Sequence, residues 1–232
     1  MARPPRSLTV VPNHAVHKVW RGHNREWNLE TPEQKAAYLE YYNLDVESEK
    51  YQQGAVLNAA TLMSNHTHEV SNVQDQGLYS NQMRRHHARY GAYFNRLKGR
   101  CGKVAQDRPH TTLLENRHNE MEAIFYIHAN PIRANIVKDA KDYFWSTQRL
   151  YAFGKRENWM RNIALPAWYQ ALGRNPQERQ RAYRRLFARY LKRSGLVKQF
   201  FLKGRFFGTP LWCLEREKKV TEWRRLRSPP PS

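Results

Sequence analysis

Acidic residues, cysteines and long apolar runs are scarce in this chain, and each scarcity removes a class of protein. The 232 residues hold 20 Asp and Glu against 40 Lys and Arg, a formal charge of +20. A charge that large repels itself in a folded body and is usually retained where a polyanion neutralises it. Nucleic acid fits, because each phosphate neutralised releases a counterion; a merely soluble basic protein is the plainer alternative at this stage. Two cysteines, Cys101 and Cys213, make neither a metal-ligand spacing nor a disulfide framework, so a reducing cytoplasm is expected. No run of about 18 apolar residues occurs, so no spanning helix is expected, and the opening MARPPRSLTV lacks the apolar core of a signal peptide.

With 40% of the residues hydrophobic, the chain has enough to bury a core. Composition divides it into a loose basic lead-in (1–12), a mixed region (13–150), a helical basic extension (151–227) and a Pro-Ser tail (228–232) expected to be disordered. His14 to Trp20 alternates as a strand does, and Arg21-Gly22-His23-Asn24 reads as a turn. Thr31-Pro32-Glu33 opens a helix, since threonine caps it and proline is tolerated in the first turn. Gly54 to Val70 is strand-like, Asn72 to Gly77 is a polar break, and Leu78 to Leu97 reads as a long basic helix ended by Gly99 and Gly102. A short strand is expected at Thr111 to Leu114, and a helix over Asn119 to Ala129 that Pro131 stops. Residues 164–193 read as helical, with Ala182, Tyr183, Leu186, Phe187, Tyr190 and Leu191 on the apolar face.

Two local patterns carry chemistry. In His66-Thr67-His68 the imidazoles are two apart, so on a strand they share a face and can take two positions on one metal ion. Ten histidines give about 0.4 such pairs by chance, so a metal-free surface pair is the plainer reading of this pattern alone. Tyr126 and Asn130, in FYIHANP, are four apart and share a helix face. The amide oxygen of Asn130 is a hard ligand that can complete a metal site one turn from a tyrosine nucleophile. Pro131, however, biases Asn130 away from helical backbone, and a core aromatic is the plainer reading of any one tyrosine. His86 and His87 stand among arginines, where contact with phosphate or water is expected. His17 and His110 have no evident partner, and His128 points away from Tyr126.

These segments resemble the REP-associated tyrosine transposases, single-tyrosine members of the HUH nucleases. MSNHTHEV is similar to their His-hydrophobe-His strand and FYIHANPIRANIV to their tyrosine helix. The turn at Arg21, Gly22 and Asn24, the helix end RYGAYFNRLKGRCG, DYFWST, and LPAWYQALGRNPQERQRAYRRLFARYL extend the likeness over residues 10–215. The resemblance implies an α/β (α+β) fold, a ferredoxin-like sandwich with a central antiparallel sheet over residues 13–150, followed by the helical basic extension. It implies that His66, His68 and Asn130 hold Mg²⁺ or Mn²⁺, and that Tyr126 attacks the scissile phosphate. The reaction implied is cutting and rejoining of hairpin-bearing single-stranded DNA through a 5′-phosphotyrosine, by a monomer or homodimer in the bacterial cytoplasm at the nucleoid, with no membrane partner. The chain departs from the family pattern at Thr67, at Glu69 (where an apolar residue is usual), at Ser64, and in KVAQDRPHTTLLE. Thr67 needs a partner for its hydroxyl if it is buried.

The mixture of rings and cations suits unpaired bases stacked on aromatics with a backbone tracked by Lys and Arg. Arg84, Arg85, Arg89, Arg96, Lys98 and Arg100 on and just after the long helix, and Arg181, Arg184 and Arg185 on the later one, are the expected DNA contacts; solvated helix faces are the alternative. Two other functions stay open on the sequence: a non-catalytic binder of structured single-stranded DNA or RNA, and a basic structural protein.

Overall fold

The structure is a computed structural model and describes residues 3–193 and 204–227. Its centre is a five-stranded sheet: β1 (His14–Arg21), β2 (Ala55–Leu62), β3 (His66–Val73), β4 (His110–Leu114) and β5 (Phe206–Phe207), in the order β2-β3-β1-β4-β5. β1 pairs antiparallel with both β3 and β4, β2 pairs antiparallel with β3, and β5 adds a parallel edge to β4. Helix α1 (Arg6–Thr9) precedes β1, so the lead-in expected to be loose contains a helical turn with Thr9 and Val10 buried. The connections β1-α2-β2 and β3-α3-β4, through α2 (Pro32–Glu47) and α3 (Gln76–Leu97), give the ferredoxin-like double βαβ.

Local chemistry sets the helix ends. Thr31 accepts from the amide of Gln34 while the Gln34 side chain reaches back, a capping box worth about 1 kcal/mol. Asp75 caps α3, and Asn116 caps α4 (Arg117–His128). Gly99, at φ 58°, takes the left-handed conformation that lets the chain leave α3. α4 ends at His128, within one residue of the expected Ala129, but Pro131 does not turn the chain out of helical geometry: α5 (Asn130–Arg133) follows directly, with Ala129 helical between them and Arg133 N–H donating to Ala129 O. A proline in the first turn of α5 gives up no helix bond, so Asn130 keeps helical backbone one turn beyond Tyr126.

The sheet separates two helical layers. α2 and α3 cover one face, where Tyr38, Tyr90 and Phe94 pack with Trp20, Leu57 and Leu62. α4 covers the other, with α6 (Gln148–Phe153), α7 (Ala167–Gln170) and α8 (Pro176–Arg193) outside it. Residues 123–129 are buried without a break, because the sheet presses on one side of α4 and Tyr183, Phe187 and Tyr190 of α8 press on the other. The helical extension therefore shares the core of the sheet region. The region expected to be helical from 164 breaks between α7 and α8, and Leu191, expected on the apolar face, is exposed. The last helix, α9 (Pro210–Arg225), buries Val220 against the α3 side. The expected tail at 228–232 lies outside the described residues. Among those described, no helix is long and apolar enough to cross a membrane.

Candidate active site

An open cleft of about 520 Å³ lies where the ends of β1, β3 and β4 meet the C-terminal end of α4. His66, His68, Tyr126 and Asn130, read from two distant segments, all line it, together with Arg3, Arg21, Arg108 and His110. The strand alternation that puts His66 and His68 on one face also points them at α4, and the four-residue step puts Asn130 beside Tyr126. The His66 and His68 rings are 4.8 Å apart, and His68 meets Tyr126 edge-on at 5.7 Å.

Each candidate ligand histidine is held at Nδ1. His66 Nδ1 lies 2.6 Å from Asn65 Oδ1, and His68 Nδ1 lies 2.9 Å from Nε2 of the fully buried His17. Nε2 is then the nitrogen each ring has left for a ligand. Burial holds all three imidazoles neutral: His17 falls to about 3, with help from His110 and His66; His66 falls to about 4, with help from Arg21; and His68 falls well below its ordinary value. Neutral imidazole is the form that binds a cation.

The amide of Asn130 is the third donor. Its Nδ2 is buried and has no hydrogen-bond partner among the described residues, and a half-turn of the amide places the oxygen there instead. Among the described residues no three His, Cys, Asp or Glu side chains are grouped to hold a metal ion. A cation in this cleft would therefore take two imidazoles and one amide oxygen, a mixed nitrogen and oxygen set with positions left for water or phosphate. The residues present fit such an ion.

Tyr126 is 4% exposed. Burial raises its phenol, and Arg133 and Arg21 work in the opposite direction. The Arg133 guanidinium sits 4.9 Å from the centre of the Tyr126 ring, donates to Tyr126 O at 3.1 Å, and donates to the hydroxyl of Tyr190 on α8 at 2.7 Å. The opposite wall of the cleft is cationic and tied to the lead-in: Arg3 pairs with Asp107 at 3.1 Å, and Arg108 donates to Pro4 O at 2.9 Å.

Other expectations change. α3 lies across the sheet from the cleft. Of the basic residues on it and just after it, Arg85 lies over the Tyr51 ring at 4.0 Å, Arg89 pairs with the buried Asp45 at 2.5 Å, and Arg100 pairs with Glu26 at 2.5 Å. These three serve the fold, while Arg84, Arg96 and Lys98 stand exposed. On α8, on the Tyr126 side, Arg181 and Arg185 are exposed, and Arg184 bonds to Ala152 O and covers Phe153. His86 and His87 are not surface contacts: His86 Nε2 donates to Tyr38 O at 2.7 Å, and His87 lies over Trp20 at 5.2 Å. His128 does turn away from the cleft, bonding to Tyr183 Oη at 2.6 Å and Thr147 Oγ1 at 2.8 Å.

The chain matches no family model, and no curated protein matches it in sequence. Among solved structures it is similar to a REP-associated tyrosine transposase bound to a REP hairpin, with 18% identity and a TM-score of 0.53. That match covers 68% of this chain and 89% of the other. At this identity the likeness establishes the fold, a mixed α/β body around a central sheet.

Proposed function

We propose that this chain is a metal-dependent single-stranded DNA transesterase related to the REP-associated tyrosine transposases, cutting and rejoining hairpin-bearing DNA through Tyr126. The observation that carries the reading is convergence: two neutral imidazoles, a buried amide and a phenol, from segments about 60 residues apart, line one cleft whose other wall is cationic. Such a fold with a hairpin-bound relative supports it.

His66, His68 and Asn130 are the residues that would hold Mg²⁺ or Mn²⁺. A divalent ion there supplies charge withdrawal from a non-bridging phosphate oxygen. Arg21, Arg108 and Arg3 suit the phosphates on either side of the scissile one, because a guanidinium pairs with phosphate in two-pronged fashion. Arg181 and Arg185, exposed on α8, offer a second basic patch for the nucleic acid outside the cleft. Tyr126 is the nucleophile: its Oη forms a bond to phosphorus, the P–O3′ bond breaks, and the freed 3′ oxygen takes up a proton. The phenol gives its proton to solvent, aided by Arg133 and Arg21, whose charges favour the phenolate. One phosphodiester is exchanged for another, so a 3′-OH can reverse the step without ATP.

Incubation with single-stranded hairpin DNA and Mn²⁺, followed by a denaturing gel, should give a covalent protein–DNA adduct. Tyr126→Phe should abolish the adduct and leave hairpin binding intact; an adduct with the Phe variant would remove Tyr126 from its role. The burial of Tyr126 favours one second reading, a non-catalytic binder of structured single-stranded DNA or RNA. Tight hairpin binding with no metal-dependent cut would select it.

A further inference from the structure

The sequence offers no partner for His17, yet this residue makes the contact that decides which nitrogen of His68 faces outward. In the antiparallel ladder His17 stands opposite Val70 and Val19 opposite His68, which sets His17 and His68 on one face as diagonal neighbours. Their ring planes lie within 11°, with centroids 5.1 Å apart and Nε2 to Nδ1 at 2.9 Å. That is the in-plane approach of a hydrogen bond between two imidazoles. His17 also meets the edge of the Tyr126 ring at 5.8 Å, so it sits beneath both the candidate ligand and the candidate nucleophile.

The direction of the bond follows from the nitrogen that His68 must offer. Asn65 Oδ1 can only accept, so its 2.6 Å contact places the proton of His66 on Nδ1 and the lone pair on Nε2. For His68 to offer the same nitrogen to the same cleft, its Nδ1 must also carry the proton, and His17 must accept through Nε2. We propose that His17 is a positioning residue for the cation site, accepting from His68 Nδ1–H and so holding His68 in the tautomer and orientation that present Nε2 to a divalent ion. This rests on the reading of His66, His68 and Asn130 as a cation site. Partners of this kind, behind a ligating imidazole, fix ring orientation and raise ligand basicity.

The test uses full-length protein and Mn²⁺ alone, with no DNA. His17→Phe keeps a ring of similar size but cannot accept, and His17→Gln restores an accepting oxygen near the Nε2 position. The expected result is a loss of about 10–100-fold in Mn²⁺ affinity for His17→Phe, measured by electron paramagnetic resonance, most of it recovered in His17→Gln. Long-range proton–nitrogen correlation spectra of ¹⁵N-histidine-labelled, metal-free wild type should show His68 protonated at Nδ1. The proposal is overturned if His17→Phe binds Mn²⁺ like wild type while His66→Ala does not, an outcome that leaves the cation site standing. It is overturned as well if His68 is protonated at Nε2, or if His17→Gln loses the ion as completely as His66→Ala, which makes His17 a ligand. Wild type that binds no Mn²⁺ removes the cation site itself and this role with it. Should His17→Phe fail to fold, the wild-type tautomer and His17→Gln decide.

Discussion

Strand β3 is polar on both faces, and the two faces do opposite things. On the α2 and α3 side, Thr67 and Glu69 enter a closed network. Lys18, directly across from Glu69, reaches its carboxylate at 2.6 Å; Tyr38 donates to it at 2.7 Å and Thr67 at 3.0 Å. Burial works against the charge of Glu69, but Lys18 and these bonds hold its carboxyl below the usual range. On the α4 side, His66 and His68 each spend one ring nitrogen on the protein and keep the other at a cleft. Polarity therefore does not mark a site here; unspent bonding capacity does. The contrast also shows how this strand tolerates Thr67 and Glu69 in a buried setting: Lys18 and Tyr38 complete their bonding.

The strongest way to break this comparison is Lys18→Met. It leaves a buried carboxylate without its cation and should cost about 3–5 kcal/mol in urea unfolding, while the folded fraction still binds Mn²⁺ normally. A loss below about 1 kcal/mol would mean the network is not closed. The next effect is at the far end of α4. Glu120, which accepts from Asn72 at 2.8 Å, is pushed up to about 7 by burial, against the pull of Asn72 and Arg117. A carboxyl raised on folding favours the folded state least once it is ionised. Stability is thus full below the ordinary carboxyl value of 4.5, falls as the pH rises from there to about 7, and is level above it, the loss being about 3 kcal/mol at most. Glu120→Gln should flatten that dependence and melt higher than wild type at pH 8, with little difference at pH 5.

His66→Ala should show the reverse of Lys18→Met: a loss of at least about tenfold in Mn²⁺ affinity with stability changed by about 1 kcal/mol or less. Because burial, helped by Arg21, pushes His66 down to about 4, wild-type affinity should stay level from pH 8 to 6 and fall only in stronger acid. A decline already between pH 7 and 6 would place the ion elsewhere. The smallest effect separates the layers in DNA binding. Arg21→Ala or Arg108→Ala should lower the slope of log affinity against log salt by about 1. Arg84→Ala, across the sheet, should leave it unchanged; equal slopes for all three would put DNA on both faces.

What the sequence reveals here is what lies within one turn or one strand. The spacings of two at His66 and His68 and of four at Tyr126 and Asn130 are local periodicities, and so are the capped helix at Thr31 and the strand at His14. Arg21, Arg108 and His110 reach the cleft, and His17 the floor behind it, only through the pairing of β1 with β3 and β4, which no short-range pattern encodes. The arginines of α3 are less legible for a related reason: charge predicts exposure, not which side of a sheet is exposed. His86 and His87 look solvated among them, yet the helix turns both toward Tyr38 and Trp20. α4 shows no amphipathic stripe because it is covered on both sides, and the α8 layer that covers it lies more than 50 residues on.

Arg133 grips the backbone and ring of Tyr126 with one arm of its guanidinium and the hydroxyl of Tyr190 with the other. The last turns of α8 and the phenol are thus hung on a single planar group. A shift of α8 would be handed to the tyrosine as a change in both its position and its neighbouring charge.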